Sequence, residues 1–130
     1  MDELKFVKKN ANPKTHTTGD CVIRALSLAL NQQWEETFED LCKIAKKKCR
    51  MPNDQKVYES YLINKGWSKC SEPRNFDNTK MLIKDAVPYI KEKQLIIYAG
   101  SRHITYVEEM TLYDTWDCRR KTMHTYWRKL

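Results

Sequence analysis

One cysteine has the sequence surroundings of a nucleophile. Cys21 follows Gly19 and opens an apolar segment that ends at Leu30. We expect this segment to be a buried helix, with Cys21 in its first turn, where unpaired N–H groups and the positive helix end favour a thiolate. Gly19 lets the backbone of a substrate come close. A cysteine nucleophile needs these properties, although a free cysteine is as often a buried structural residue.

A histidine and a carboxylate on two later segments could complete such a site. His103 lies in the alternating segment 102–107, and Asp114 lies in the next strand-like segment, 111–116. An imidazole can accept the thiol proton, and a carboxylate can orient the ring and stabilise its protonated form. An even number of loop residues would put both side chains on one face of the sheet, whereas an odd number would separate them. Asp117 is the alternative carboxylate.

The order of these residues resembles that of the papain-like cysteine peptidases, and in particular their small, divergent bacterial and bacteriophage members. The likeness covers about residues 10–117 and rests on NPKTHTTGDCVIRALSLAL and RHITYVEEMTLYDTWD. It implies a Cys21 thiolate, a His103 general base and an Asp114 carboxylate that orients the base. It also implies acyl transfer at an amide, isopeptide or ester, as in a peptidase, a deconjugating enzyme or an amidase. No cofactor is expected.

The resemblance is incomplete at the oxyanion site. The family often has a glutamine about six residues before the cysteine, where this chain has Thr15. We expect Asn12 or Thr17 to substitute for the glutamine, and the Cys21 backbone N–H to be the other donor. Gly19 would leave room for the substrate carbonyl.

An inactive papain-like fold that binds a partner is the second hypothesis. The chain has 24 lysines and arginines against 17 acidic residues, and the basic excess lies at its two ends. A phage-encoded inhibitor could use Arg119, Arg120, Lys121 and Trp127 to bind a host defence protein or a nucleic acid. The chain has no helix-turn-helix, zinc-finger or RNA-binding signature, so a protein or peptide partner is favoured over nucleic acid.

Composition narrows the class of protein. A chain of 130 residues with 41% hydrophobic residues can form one domain with a packed core. It has no apolar run of the ~20 residues that span a bilayer, and no signal-peptide stretch at its start. The cysteines are five in number and none form a CxxC pair, which favours neither a disulfide scaffold nor a metal site. We expect a cytoplasmic protein of a bacterial host cell, with its oligomeric state open.

The predicted fold class is α+β, with N-terminal helices packed on a C-terminal antiparallel sheet. Residues 1–19 are predicted to be irregular, 20–90 mainly helical, and 94–128 antiparallel strands. Three features mark the later helices: a cap at Asn53, a left-handed end at Gly66, and a short helix that starts at Thr79 and is stopped or kinked by Pro88. Residues 67–78 are predicted to be a loop.

Overall fold

The computed structural model describes residues 3–16, 18–100 and 102–130. This part of the chain forms four helices and a six-stranded sheet, so the α+β class is confirmed. The helices are α1 Cys21–Leu30, α2 Trp34–Lys48, α3 Gln55–Asn64 and α4 Ile83–Ile90. The strands are β1 Lys5–Lys8, β2 Trp67–Cys70, β3 Gln94–Ala99, β4 His103–Glu108, β5 Thr111–Asp114 and β6 Met123–Lys129. No helix in the described ranges is long and apolar enough to cross a membrane.

The sheet is mixed, with strand order β1-β5-β4-β3-β6-β2. β1 pairs in parallel with β5, so the prediction of a purely antiparallel sheet is wrong at this edge. β1 also lies in the segment that was predicted to be irregular, and β2 lies in the predicted loop. Both are four-residue edge strands. Their extended form depends on hydrogen bonds to a distant partner rather than on local propensity.

Two helices differ in detail from their predictions. Asp54, not Asn53, caps α3, and its carboxylate accepts a hydrogen bond from the Lys56 N–H at 2.8 Å. α4 starts at Ile83, and Pro88 lies inside the helix instead of ending it. Burial of the apolar face of α4 offsets the one intrahelical hydrogen bond that a proline removes.

The sheet is covered on both faces. One face packs with α1, α2 and α3 in one apolar cluster, and the other packs with α4 in a second cluster. In β4, residues 104–107 are therefore all buried, and the strand lacks the exposed face of an ordinary alternating strand. α1 packs against β4 and β3, which brings the first turn of α1 close to the start of β4.

Candidate active site

A two-residue turn aligns the histidine with the carboxylate. Glu109 and Met110 connect β4 to β5, and both have positive φ, as the turns of two-residue hairpins require. Because this loop has an even number of residues, His103 and Asp114 lie on the same face of the sheet. The His103 Nε2 atom is 2.6 Å from the Asp114 Oδ2 atom. Their side chains are 13% and 4% exposed, so this contact is shielded from water.

Cys21 is the first residue of α1 and is partly buried. Burial alone would raise the pKa of its thiol. However, hydrogen bonds from the His103 ring and the Ile104 backbone N–H, together with the charges of His103 and Arg24, hold that pKa below its ordinary value. The N-cap residue Asp20 makes no capping hydrogen bond with its side chain. The environment of Cys21 therefore favours a thiolate, as expected of a nucleophile at a helix start.

The imidazole of His103 is stabilised in its charged form. Burial disfavours the imidazolium, but hydrogen bonds with Asp114, Cys118 and Cys21 raise the pKa of His103 to about 11. Burial likewise raises the pKa of Asp114, but the hydrogen bond and charge of His103 lower it below its usual range. Since Nε2 faces Asp114, Nδ1 is the ring nitrogen left for the Cys21 sulfur. This electrostatic arrangement favours a thiolate–imidazolium pair with a carboxylate behind it.

A buried ion-pair cluster lies behind these three residues. The Asp20 carboxylate accepts hydrogen bonds from Asn12 Nδ2 at 3.0 Å and from Trp34 Nε1 at 2.9 Å. It also forms an ion pair with Arg24. The other terminal nitrogen of Arg24 is 3.9 Å from the Asp114 Oδ1 atom. The cluster therefore connects the N-terminal segment and α2 to the candidate catalytic carboxylate.

The residues predicted for the oxyanion site are in different situations. Asn12 is 6% exposed and donates its side-chain amide to Asp20, the residue before Cys21. Thr17 lies outside the described residues. Gly19 has φ +73°, and among the described residues, its chain neighbours aside, nothing lies within 4 Å of the position that a Cβ atom would take. The described surroundings of Gly19 therefore leave room for an approaching carbonyl.

The residues predicted to bind a partner are only partly available. Trp127 is 3% exposed in the core, so the prediction that its indole could contact a partner is wrong. Arg119 forms a bidentate ion pair with Asp117 at 2.9 and 2.8 Å. Arg120 and Lys121 are exposed.

A cavity gives access to the imidazole. It has a volume of about 110 Å³ and is lined by Ala99, Gly100, His103, Trp116 and Lys121. The Trp116 ring centroid is 4.9 Å from that of His103, and Trp116 is 41% exposed. A molecule in this cavity would contact the imidazole that lowers the pKa of Cys21.

Within the described ranges, one cluster could hold a metal ion. The ligand atoms of His103, Asp114 and Cys118 all lie within 4.8 Å of one another. Imidazole, carboxylate and thiolate are ligands that Zn²⁺ accepts. However, Cys118 is fully buried, and its Sγ atom is 3.7 Å from the Asp114 oxygen that already holds His103. A metal ion would have to displace the hydrogen bond between His103 and Asp114.

Four residues of this site were not predicted. Arg24 did carry a signal, since it is the one cation in an otherwise apolar helix. Asp20 had the weaker signal of a carboxylate next to Cys21. No motif surrounds Trp116 or Cys118, whose positions depend on the turn that follows β5.

Comparisons with family models, curated proteins and solved structures find no match to this chain.

Proposed function

We propose that this protein is a cysteine hydrolase of the papain-like type, which acts by acyl transfer on an amide, isopeptide or ester in a protein or peptide. Cys21 is the nucleophile, His103 the general acid and base, and Asp114 the residue that orients His103. The position of the His103 ring carries the proposal, because the ring pairs with a buried carboxylate at 2.6 Å and also acts on the Cys21 thiol, whose pKa it lowers.

The reaction follows from the charges of these groups. The Cys21 thiolate attacks the carbonyl carbon and forms a C–S bond, and the carbonyl oxygen becomes an oxyanion. The Cys21 backbone N–H at the helix start is one donor to that oxyanion. The His103 imidazolium then gives its proton to the leaving nitrogen or oxygen, and the bond from this atom to the carbonyl carbon breaks. Water, deprotonated by His103, attacks the thioester and releases the acid and the Cys21 thiol.

Burying the charged residues of the site costs free energy, and this cost also supports a chemical role. Asp114, Asp20 and Arg24 are 5%, 3% and 9% exposed. A buried ion pair adds little stability compared with well-packed apolar residues, because both charges lose their hydration. Strongly perturbed ionisable groups cluster at functional sites. The alternative, an inactive fold that binds a partner, has less support. Trp127 is buried in the core, and the charge of Arg119 is paired with Asp117.

Selective alkylation tests the nucleophile. The protein is treated with limiting iodoacetamide at about pH 6, where an ordinary thiol of pKa about 8.5 is almost fully protonated, and the adducts are mapped by mass spectrometry. We expect Cys21 to react ahead of Cys49, although Cys49 is exposed and Cys21 is partly buried. Cys42→Ala is the matched control for Cys21→Ala, because Cys42 is also partly buried. Preferential labelling of Cys49 would contradict the proposal.

An activated ester tests acyl transfer itself. With 4-nitrophenyl acetate, the native protein should release nitrophenol and pass through an acetyl adduct on Cys21. The adduct should then disappear by hydrolysis. Cys21→Ala should release nitrophenol only at the background rate, and Cys42→Ala at the native rate. A reactive Cys21 that is never acetylated would favour the inactive binding fold.

A further inference from the structure

We propose that Arg24 is a positioning residue of this site, which joins Asp20 to Asp114 and so fixes the carboxylate that orients His103. This role rests on the proposed function, because it concerns the same three groups.

The two ends of the guanidinium contact different carboxylates. The Nη1 atom of Arg24 pairs with Asp20 Oδ1, while its Nη2 atom is 3.9 Å from Asp114 Oδ1. The other oxygen of Asp114, Oδ2, faces His103 at 2.6 Å. Asp114 Oδ1 also accepts a hydrogen bond from the Thr115 N–H at 2.6 Å, so Arg24 adds a buried positive charge beside an oxygen that the backbone already orients. Rotation of the carboxylate would break the contacts of both oxygens. A planar, forked guanidinium suits this task better than the point charge of a lysine.

Asp20 is itself held in place by its other oxygen. Oδ2 accepts hydrogen bonds from Asn12 and Trp34, which leaves Oδ1 for Arg24. The guanidinium is therefore anchored by residues of the N-terminal segment, α1 and α2, whereas Asp114 lies at the end of β5. Arg24 thus fixes the position of the Asp114 carboxylate, which lies on the sheet, relative to the helices.

The charges in this cluster alternate in sign. Asp20, Arg24, Asp114, His103 and Cys21 follow one another as negative, positive, negative, positive and negative. An ion pair needed only to stabilise the start of α1 would require Asp20 and Arg24 alone. The contact with Asp114 extends this pair to the reacting groups.

The charged and titratable groups around Cys21 determine the pH at which its alkylation rate reaches half of its maximum. The charged or titratable side chains around it are Lys9 of the N-terminal segment, Arg24 of α1, Tyr58 of α3, His103 of β4, and Tyr113 and Asp114 of β5. Loss of the Arg24 charge and a misplaced Asp114 should both weaken the thiolate, and therefore act in the same direction.

The test is the pH dependence of Cys21 alkylation in the double variant Asp20→Asn/Arg24→Met. Arg24→Met alone would leave buried Asp20 without its cation, whereas the double variant removes both members of one ion pair and should therefore fold. We expect the midpoint of the reactivity profile to rise by about half a pH unit to one unit.

The matched control is Asp54→Asn/Arg50→Met. This pair has the same spacing as Asp20 and Arg24, lies at the start of α3, and is more exposed. Its midpoint should equal that of the native protein. An unchanged midpoint in folded Asp20→Asn/Arg24→Met would overturn the role of Arg24 alone. A native midpoint near the ordinary thiol value of about 8.5 would instead overturn the proposed function.

Discussion

Two histidine–carboxylate pairs lie on the same sheet, one on β4 and one on β6. In the first pair, His103 Nε2 is 2.6 Å from Asp114, and the two side chains are 13% and 4% exposed. In the second, His124 Nδ1 is 3.7 Å from Glu72, and the side chains are 22% and 23% exposed. The Lys80 ammonium is 3.5 Å from the same nitrogen of His124. Glu72 Oε2 also lies 2.8 Å from Arg74 Nη2, so Arg74 and solvent compete with His124 for Glu72, whereas buried Asp114 faces His103 closely.

The surroundings of the two rings differ as well. The thiols of Cys118 and Cys21 act together with Asp114 to raise the pKa of His103, so groups that can become anions stabilise its charged form. His124 contacts the Tyr98 ring edge-on at 5.6 Å and lies 3.2 Å from the Gly100 carbonyl oxygen. A histidine beside a carboxylate is thus common to both regions. Deeper burial and a neighbouring thiol, Cys21, distinguish the candidate site.

The largest expected difference concerns the carboxylates. Asp114→Asn should lower the free energy of unfolding by about 3 kcal/mol, because it leaves buried charges without their partner. Glu72→Gln should lower it by less than about 1 kcal/mol, as for a partly exposed pair. Urea unfolding near neutral pH, followed by circular dichroism, measures both. Equal losses would show that the two pairs are energetically alike, contrary to their geometry.

The next difference concerns the rings. An ordinary thiol at about pH 6 is thiolate in only about one molecule in 300. A thiolate of ordinary pKa is, however, about ten times more nucleophilic than one of low pKa, and this offsets part of the loss in rate. We therefore expect His103→Ala to slow Cys21 alkylation about thirtyfold at this pH, measured with iodoacetamide. His124→Ala should change the rate by less than about twofold. If both substitutions slow the reaction equally, His103 has no special role in activating Cys21.

Per unit of pH, the smallest effect is a pH dependence of stability. The folded state raises the pKa of His103 to about 11, so it keeps a proton that the unfolded chain releases above its ordinary pKa of about 6.5. The resulting stabilisation is fully present below about pH 6.5 and is lost as the pH rises through the folded pKa. The loss is at most about 1.4 kcal/mol per pH unit.

The pH dependence of stability is best measured in Cys21→Ala. In the unfolded chain an ordinary thiol, of pKa about 8.5, loses its proton in the same pH range as the one discussed for His103. The stability of this variant should decline above about pH 6.5, since Asp114 still holds His103. Cys21→Ala/His103→Gln should lack this decline, whereas Cys21→Ala/His124→Gln should retain it. Parallel profiles for the two double variants would contradict the difference between the rings.

The residues with the clearest chemistry were accessible from sequence. A cysteine before an apolar helix is a local pattern, and Cys21 is the first residue of α1. The pairing of His103 with Asp114 stayed open at that level, because Glu109 and Met110 lack the glycine or asparagine that usually marks a two-residue turn. The structure resolves this choice, because the chain accepts two non-glycine residues with positive φ.

The remaining features depend on long-range contacts. Arg24 is visible as a charge in an apolar helix, but its second partner, Asp114, lies on a strand near the other end of the described chain. β2 exists because β6 pairs with it, and four residues are too few for a clear periodicity. Burial of both sheet faces also removes the alternation expected of β4.

The parallel pairing of β1 with β5 has a consequence for the newly made protein. It places Lys8 opposite Asp114, and the Lys9 N–H donates to the Asp114 carbonyl oxygen at 2.8 Å. On the ribosome, β1 and α1 emerge long before β5, so the nascent chain carries Cys21 before Asp114 is present. We expect a chain halted before Thr111 to react as an ordinary thiol in the alkylation assay. The topology would thereby keep the thiol unactivated during translation and limit unwanted cleavage of neighbouring proteins.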